Sequence, residues 1–99
     1  MQEIQETLQE RGKRYGKFTD HAEVTQLLKQ VIDDNLPSGR TRANGRHGPF
    51  LDPDQAEALD MICHKIGRIL CGDPDYADSW HDIAGYALLV SQRLEGTEQ

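Results

Sequence analysis

Glu57 and Asp60 stand one helical turn apart, and Asp78 and Asp82 form a second one-turn pair further along the chain. Lys65 and Arg68 lie between the two pairs in sequence. A carboxylate on a packed helix face is costly unless something positive neutralises it. Two chemistries meet that need. Glu57, Asp60, Asp78 and Asp82 can together hold one or two Mg2+ ions, whose preference is for hard oxygen ligands, retained waters and substrate phosphates. Alternatively the acids form a ladder of ion pairs that fixes helix register, Asp75 and Asp78 with Arg68 and Asp82 with Lys65.

Other reactive side chains point less far. His64 and His81 lie at or beside the polar face, but neither has a His or Cys at the i+4 spacing of a zinc helix. They read as capping or hydrogen-bonding groups. Cys63 and Cys71 are eight apart with no CxxC spacing, so they read as reduced packing residues. Trp80 and Tyr86 read as core or interface aromatics, with Tyr86 the better candidate for contact with a nucleotide.

These residues must be positioned by helices. Ile4 and Leu8 share one face of a first helix in the Glu/Gln-rich opening, which Gly12 and Gly16 loosen or end. RYGKFTD (residues 14–20) reads as a connector, with Thr19 or Asp20 as helix cap. Val24, Leu27, Leu28, Val31 and Ile32 follow the spacing of an amphipathic second helix that stops near Asn35. Residues 35–52 hold three Gly, two Pro and the basic side chains Arg40, Arg42, Arg46 and His47, which describes a long loop, mobile or closing over an anion.

Asp52 and Pro53 then start a third helix running to about Cys71. Its core face is Leu59, Ile62, Ile66, Ile69 and Leu70, and its other face, with Glu57, Asp60, His64, Lys65 and Arg68, is ionisable. Gly72 ends it, and GDPD (residues 72–75) turns the chain into a fourth helix from near Asp75 to about Leu94. That helix is apolar nearly all round, so it belongs at the centre of the fold or in a subunit interface. No strand pattern or repeat emerges. The expectation is a single all-α domain over residues 1–99, a four-helix bundle whose last two helices pack antiparallel.

Bulk properties narrow the partners. A formal charge of −6 argues against sequence-independent binding to long nucleic acids, which needs clustered Lys and Arg. The opening MQEIQETLQERGKR lacks an apolar signal core, and no apolar stretch nears the ~20 residues that span a bilayer. A soluble, cytoplasmic protein without membrane contact is expected. A chain this short buries a thin core, and together with the apolar fourth helix this predicts a homo-oligomer, dimer or tetramer.

The block ALDMICHKIGRILCGDPDYADSWHDIAGYALL (residues 58–89), preceded by ERGKRYGKF (residues 10–18), resembles a DUF6378-like family of small phage and prophage proteins of unknown function. That family is similar to the all-α, MazG-like nucleotide pyrophosphohydrolases and to phage nucleotide-modification-associated proteins. Asp60, Lys65 and Arg68 at D-x4-K-x2-R, then Asp78 and Asp82 at D-x3-D and Gly85-Tyr86, carry the likeness.

The resemblance implies a MazG-like bundle in which ExxE on one helix and ExxD on the next hold Mg2+ for cleavage of a nucleoside triphosphate to monophosphate and pyrophosphate. Here the pairs are Glu57-x-x-Asp60 and Asp78-x-x-x-Asp82, with aspartates at several glutamate positions and the second pair spaced four rather than three. An ion-bound water would attack the α-phosphorus while Lys65, Arg68 or loop arginines such as Arg46 neutralise phosphate charge. The RYGKF segment (residues 14–18), with Tyr15, would close over the base, and Tyr86 would contact the nucleotide. The alternative is a non-catalytic phage accessory protein that binds a host protein or a small nucleotide through the oligomeric bundle.

Overall fold

The computed structural model describes residues 2–36 and 51–97. Four α-helices account for nearly all of them: α1 (Gln2–Tyr15), α2 (Phe18–Asn35), α3 (Pro53–Cys71) and α4 (Ala77–Glu95). Among the described residues there is no strand, and no helix is long and apolar enough to cross a membrane. Residues 37–50, the body of the basic loop with Arg40, Arg42, Arg46 and His47, lie outside the described residues.

The all-α, four-helix expectation holds, with two changes in layout. The connector expected at residues 14–20 shrinks to Gly16 and Lys17. Gly16 takes a left-handed conformation (φ 79°) and its N–H closes onto the Gly12 carbonyl at 2.9 Å, so α1 runs through Gly12 and α2 begins at Phe18. Neither Thr19 nor Asp20 caps α2; the capping position is Lys17.

The second change concerns the centre of the molecule. It is α3 that packs against each of the other helices, while α4 touches α3 alone and α1 makes only slight contacts with α2 and α3. The radius of gyration is 15.9 Å, against about 13 Å for a compact chain of this size. The bundle is therefore open, and Trp80, Leu88, Leu89 and Leu94 of α4 remain exposed.

Helix ends follow the local chemistry. Asp52 precedes Pro53 at the start of α3, and its backbone N–H donates to Gln55 Oε1 at 2.9 Å. Arg93, in the last turn of α4, reaches back to this start, donating to Asp54 at 2.6 and 2.8 Å and to Asp52 at 2.9 Å. With the tight turn at residues 72–76 at the other end, this pairing makes α3 and α4 an antiparallel hairpin.

The core is small-residue rather than aliphatic. Ala56, Ala58, Cys63 and Ile69 are its buried apolar members, joined by His21, Thr25, Gly67 and Ser79. Leu27, Val31 and Leu70, expected inside, are exposed because α2 and α3 meet closely along small residues and leave their larger neighbours outside the contact.

Candidate functional site

The carboxylates come first. Lys65 Nζ meets Asp82 at 2.9 Å, with the Lys65 side chain nearly buried and Asp82 about half-exposed. Asp78 instead accepts a hydrogen bond from the Tyr76 hydroxyl at 2.9 Å, which raises the Tyr76 pKa. Glu57 is exposed and opens, with Tyr86 and Arg93, onto a groove between α3 and α4. Asp60 is half-buried on α3. Among the described residues no group of three or more His, Cys, Asp or Glu side chains converges to hold a metal ion. Of the ladder, Asp82 with Lys65 forms as expected among the described residues.

Arg68 is the reason the ladder stops there. Its guanidinium lies over the Tyr15 ring, 4.1 Å from the centroid, on the side of α3 turned toward α1. The pairing with Asp75 or Asp78 expected from sequence is thereby replaced by a cation–π contact. Arg11 approaches the same ring at 5.5 Å, and Tyr15 in turn packs edge-on against Tyr76, whose ring carries Arg14 at 5.0 Å.

Tyr15 and Arg68 line a cleft of about 470 Å3 where α1, α2 and α3 meet. Arg11, Lys17, Phe18 and His21 complete its chemically active wall, with Leu8, Gly12 and Gly16 between them. His21 is only 4% exposed, and its ring meets Phe18 and His64 edge-on at 5.3 and 5.8 Å. Two buried nitrogen atoms in this wall, His21 Nδ1 and Arg68 Nε, have no hydrogen-bond partner. Buried polar atoms are ordinarily paired, so two unpaired nitrogens on residues lining one cleft single it out as the candidate site.

The electrostatics agree. Burial, then the charge of Arg68, lowers the His21 pKa below its usual value, with Asp20 acting weakly in the other direction. The same causes push His64 down to about 4, with Lys65 and His21 adding to the field. Burial also lowers the Arg68 pKa. Burial is the first cause in each case, and the two histidines also register the positive charge of Arg68.

Glycines set this geometry. A Cβ on Gly67 would sit 2.6 Å from Thr25 Oγ1 and 2.8 Å from the His21 carbonyl, so only glycine lets α2 approach α3 here. Thr25 donates to that His21 carbonyl at 2.7 Å. At the ends of α1 and α3, Gly16 lies against the Cys71 carbonyl and Gly72 against the backbone of Arg14 and Tyr15. The Asp73 N–H then bonds the Arg14 carbonyl at 2.7 Å. This interlock presents Tyr15 to Arg68.

Of the residues singled out from sequence, Tyr15 and Arg68 come together in the cleft. Lys65 is committed to Asp82, Tyr86 faces the separate α3–α4 groove with Glu57, and Arg46 lies outside the described residues. Lys17 and Phe18 belong to the RYGKF segment expected over the base, and Arg11 and His21 join the cleft from outside the expected set. A signal existed for Arg11, which stands at i, i+4 from Tyr15 on one helix, next to a glycine that can bend the chain.

Fold and cleft define an all-α domain with a basic, aromatic-walled cavity at a three-helix junction. The chain belongs to DUF6378, a domain of unknown function, whose family model matches residues 1–94. No curated protein and no solved structure matches it.

Proposed function

We propose that this chain is a phage-type, MazG-like accessory protein of the cytoplasm that binds a small phosphorylated molecule, a nucleotide, in the α1–α2–α3 cleft. One observation carries the reading. Arg68 and His21, each with a buried unpartnered nitrogen, line a cavity that Arg11 and Lys17 also line. Arginine is the side chain best suited to planar phosphate oxygens, and Phe18, 72% exposed at the rim, offers an open face for a base to stack on. The exposed apolar residues of α4 support the homo-oligomeric, dimer or tetramer, part of the proposal.

Titration of the isotope-labelled protein with nucleoside mono-, di- and triphosphates tests it. Saturable shifts at Tyr15, His21 and Arg68 are expected. Arg68→Met should abolish them while changing stability by less than about 1 kcal/mol, because a buried cation exchanged for an apolar side chain of similar length is often neutral. Absence of saturable binding across the panel would end the reading.

A second reading keeps the Mg2+-dependent nucleoside triphosphate pyrophosphohydrolase. It is supported by Glu57, which is exposed beside Tyr86 on the α3–α4 groove, where carboxylates of another copy could complete a ligand set. Mg2+ or Mn2+ at millimolar concentration should then raise the melting temperature, and pyrophosphate should be released from a triphosphate panel. Neither response would leave the binding function alone.

A further inference from the structure

Charge in the cleft is one-sided. Arg11, Lys17 and Arg68 bring cationic side chains, His21 is a fourth group able to carry a positive charge, and among the described residues no Asp or Glu lines the cleft. The groups facing His21 are Arg11 from α1, Lys17 and Asp20 at the start of α2, and His64 and Arg68 from α3. Asp20 is the one acid among them.

The unpartnered donors constrain the ligand further. An arginine fork takes two oxygens of one phosphorus, and His21 Nδ1, when it carries a proton, needs an acceptor too. A phosphodiester has two non-bridging oxygens and a single negative charge. A terminal phosphate has three such oxygens and carries a charge of about −1.5 to −2 at neutral pH. Three cationic side chains beside a titratable imidazole match the charge of the terminal group rather than that of the diester.

We propose that the cleft takes a terminal, dianionic phosphate, from a phosphomonoester or the end of a polyphosphate rather than from a diester, and that His21 binds a proton as this group enters. The proposal rests on the phosphate-binding reading above and names its ligand class. In the empty cleft burial and the neighbouring Arg68 and Arg11 keep the imidazole neutral. A dianion within hydrogen-bond reach reverses that balance, since opposite charge favours the protonated form. Tyr15 releases Arg68 to the phosphate without leaving either group in a void, because Arg11 already lies near the same ring.

The test uses the full chain with methyl phosphate and dimethyl phosphate, two probes without a base that differ in the terminal dianion. Methyl phosphate should saturate the His21 imidazole signals and raise the apparent His21 pKa by at least about one unit, with dimethyl phosphate at least tenfold weaker. Calorimetry of methyl phosphate at pH 7.5 in two buffers of different ionisation enthalpy should show net proton uptake, since the ester itself is already dianionic there (second pKa about 6). His21→Asn, which keeps a donor of similar size, should remove the uptake. The ester comparison needs no variant and so does not depend on that protein folding. Equal binding of the two esters, no response to methyl phosphate, or uptake unchanged in His21→Asn overturns the proposal. If nucleotides still bind in an Arg68-dependent way, the phosphate-binding reading survives such a result; if they do not, both fall.

Discussion

The two sides of α3 are built differently. Toward α1 and α2 it meets its neighbours backbone to backbone, through Gly67, Gly72 and the facing Gly16, and it buries Thr25 and His21 in the contact. Toward α4 it is held by long side chains: Lys65 to Asp82 along the helices and Arg93 to Asp52 and Asp54 at the end. Trp80 closes the turn by donating to the Pro74 carbonyl at 2.8 Å, yet its ring is half-exposed, as are Leu88 and Leu89. Close backbone contact fixes atoms to within fractions of an ångström, as a cleft with unpartnered donors demands. Side-chain tethers tolerate movement and leave a surface available to other copies.

The strongest way to break this contrast is to add one methyl group on the interlocked side. Gly72→Ala would drive its Cβ into the Arg14–Tyr15 backbone, where no flexible side chain can yield. A loss of about 3 kcal/mol in urea melts is expected, together with loss of the Arg68–Tyr15 contact. A parent-like melt would show that the interlock is not the rigid side.

A smaller effect belongs to the tethered side. Asp82→Asn removes the partner of a nearly buried Lys65, and because Asp82 itself is half-exposed the expected loss is only about 1–2 kcal/mol. If it matched Gly72→Ala, side-chain pairing and backbone interlock would be equally rigid here.

Acid separates the two sides without mutation. His64, on α3 against His21, is neutral in the folded protein down to about pH 4, whereas in the unfolded chain it takes up a proton below about 6.5. Its contribution to stability is therefore complete above pH 6.5 and is lost as pH falls from there toward 4. Unfolding measured at intervals over that range should show stability falling with acid, and His64→Gln should flatten part of the fall. The change is modest because solvent screens a partly exposed ring.

The smallest expected effect has the opposite sign. Gly85, in the middle of α4, has open space around its Cβ position, so Gly85→Ala should stabilise the single chain by about 0.5–1 kcal/mol through helix propensity. Light scattering alongside the melt sharpens the result. Where the chain assembles as proposed, stabilisation with assembly intact would place Gly85 away from the contact between copies, while loss of assembly would place it inside that contact.

Local signals were enough for part of this. Asp52-Pro53 and Gly72 bracket α3 where the chain places it, and a turn as short as GDPD requires the hairpin that brings Lys65 to Asp82. The cleft was hidden because its geometry is tertiary. Gly67 in a helical pattern reads only as a weak helix former, and nothing nearby in sequence shows that Thr25 and His21 press against it. Arg68 was matched to the acids nearest in the hairpin, since its true neighbour Tyr15 arrives from the other end of the chain through a turn that depends on Gly16. His21 carried no pattern as a lone histidine on an amphipathic helix, and its role follows only from what surrounds it.

The Arg93 clasp has a consequence for the solvent in which the protein works. Its partners Asp52 and Asp54 are about half-exposed, so dissolved ions compete for them, and the screening length falls from about 10 Å at 0.1 M ionic strength to about 3 Å at 1 M. The glycine interlock contains no charge to screen. Concentrated salt of a weakly interacting kind therefore loosens the far end of α4 from α3 while the junction of α1, α2 and α3 keeps its form, and the same chain holds one contact that reads ionic strength and one that ignores it.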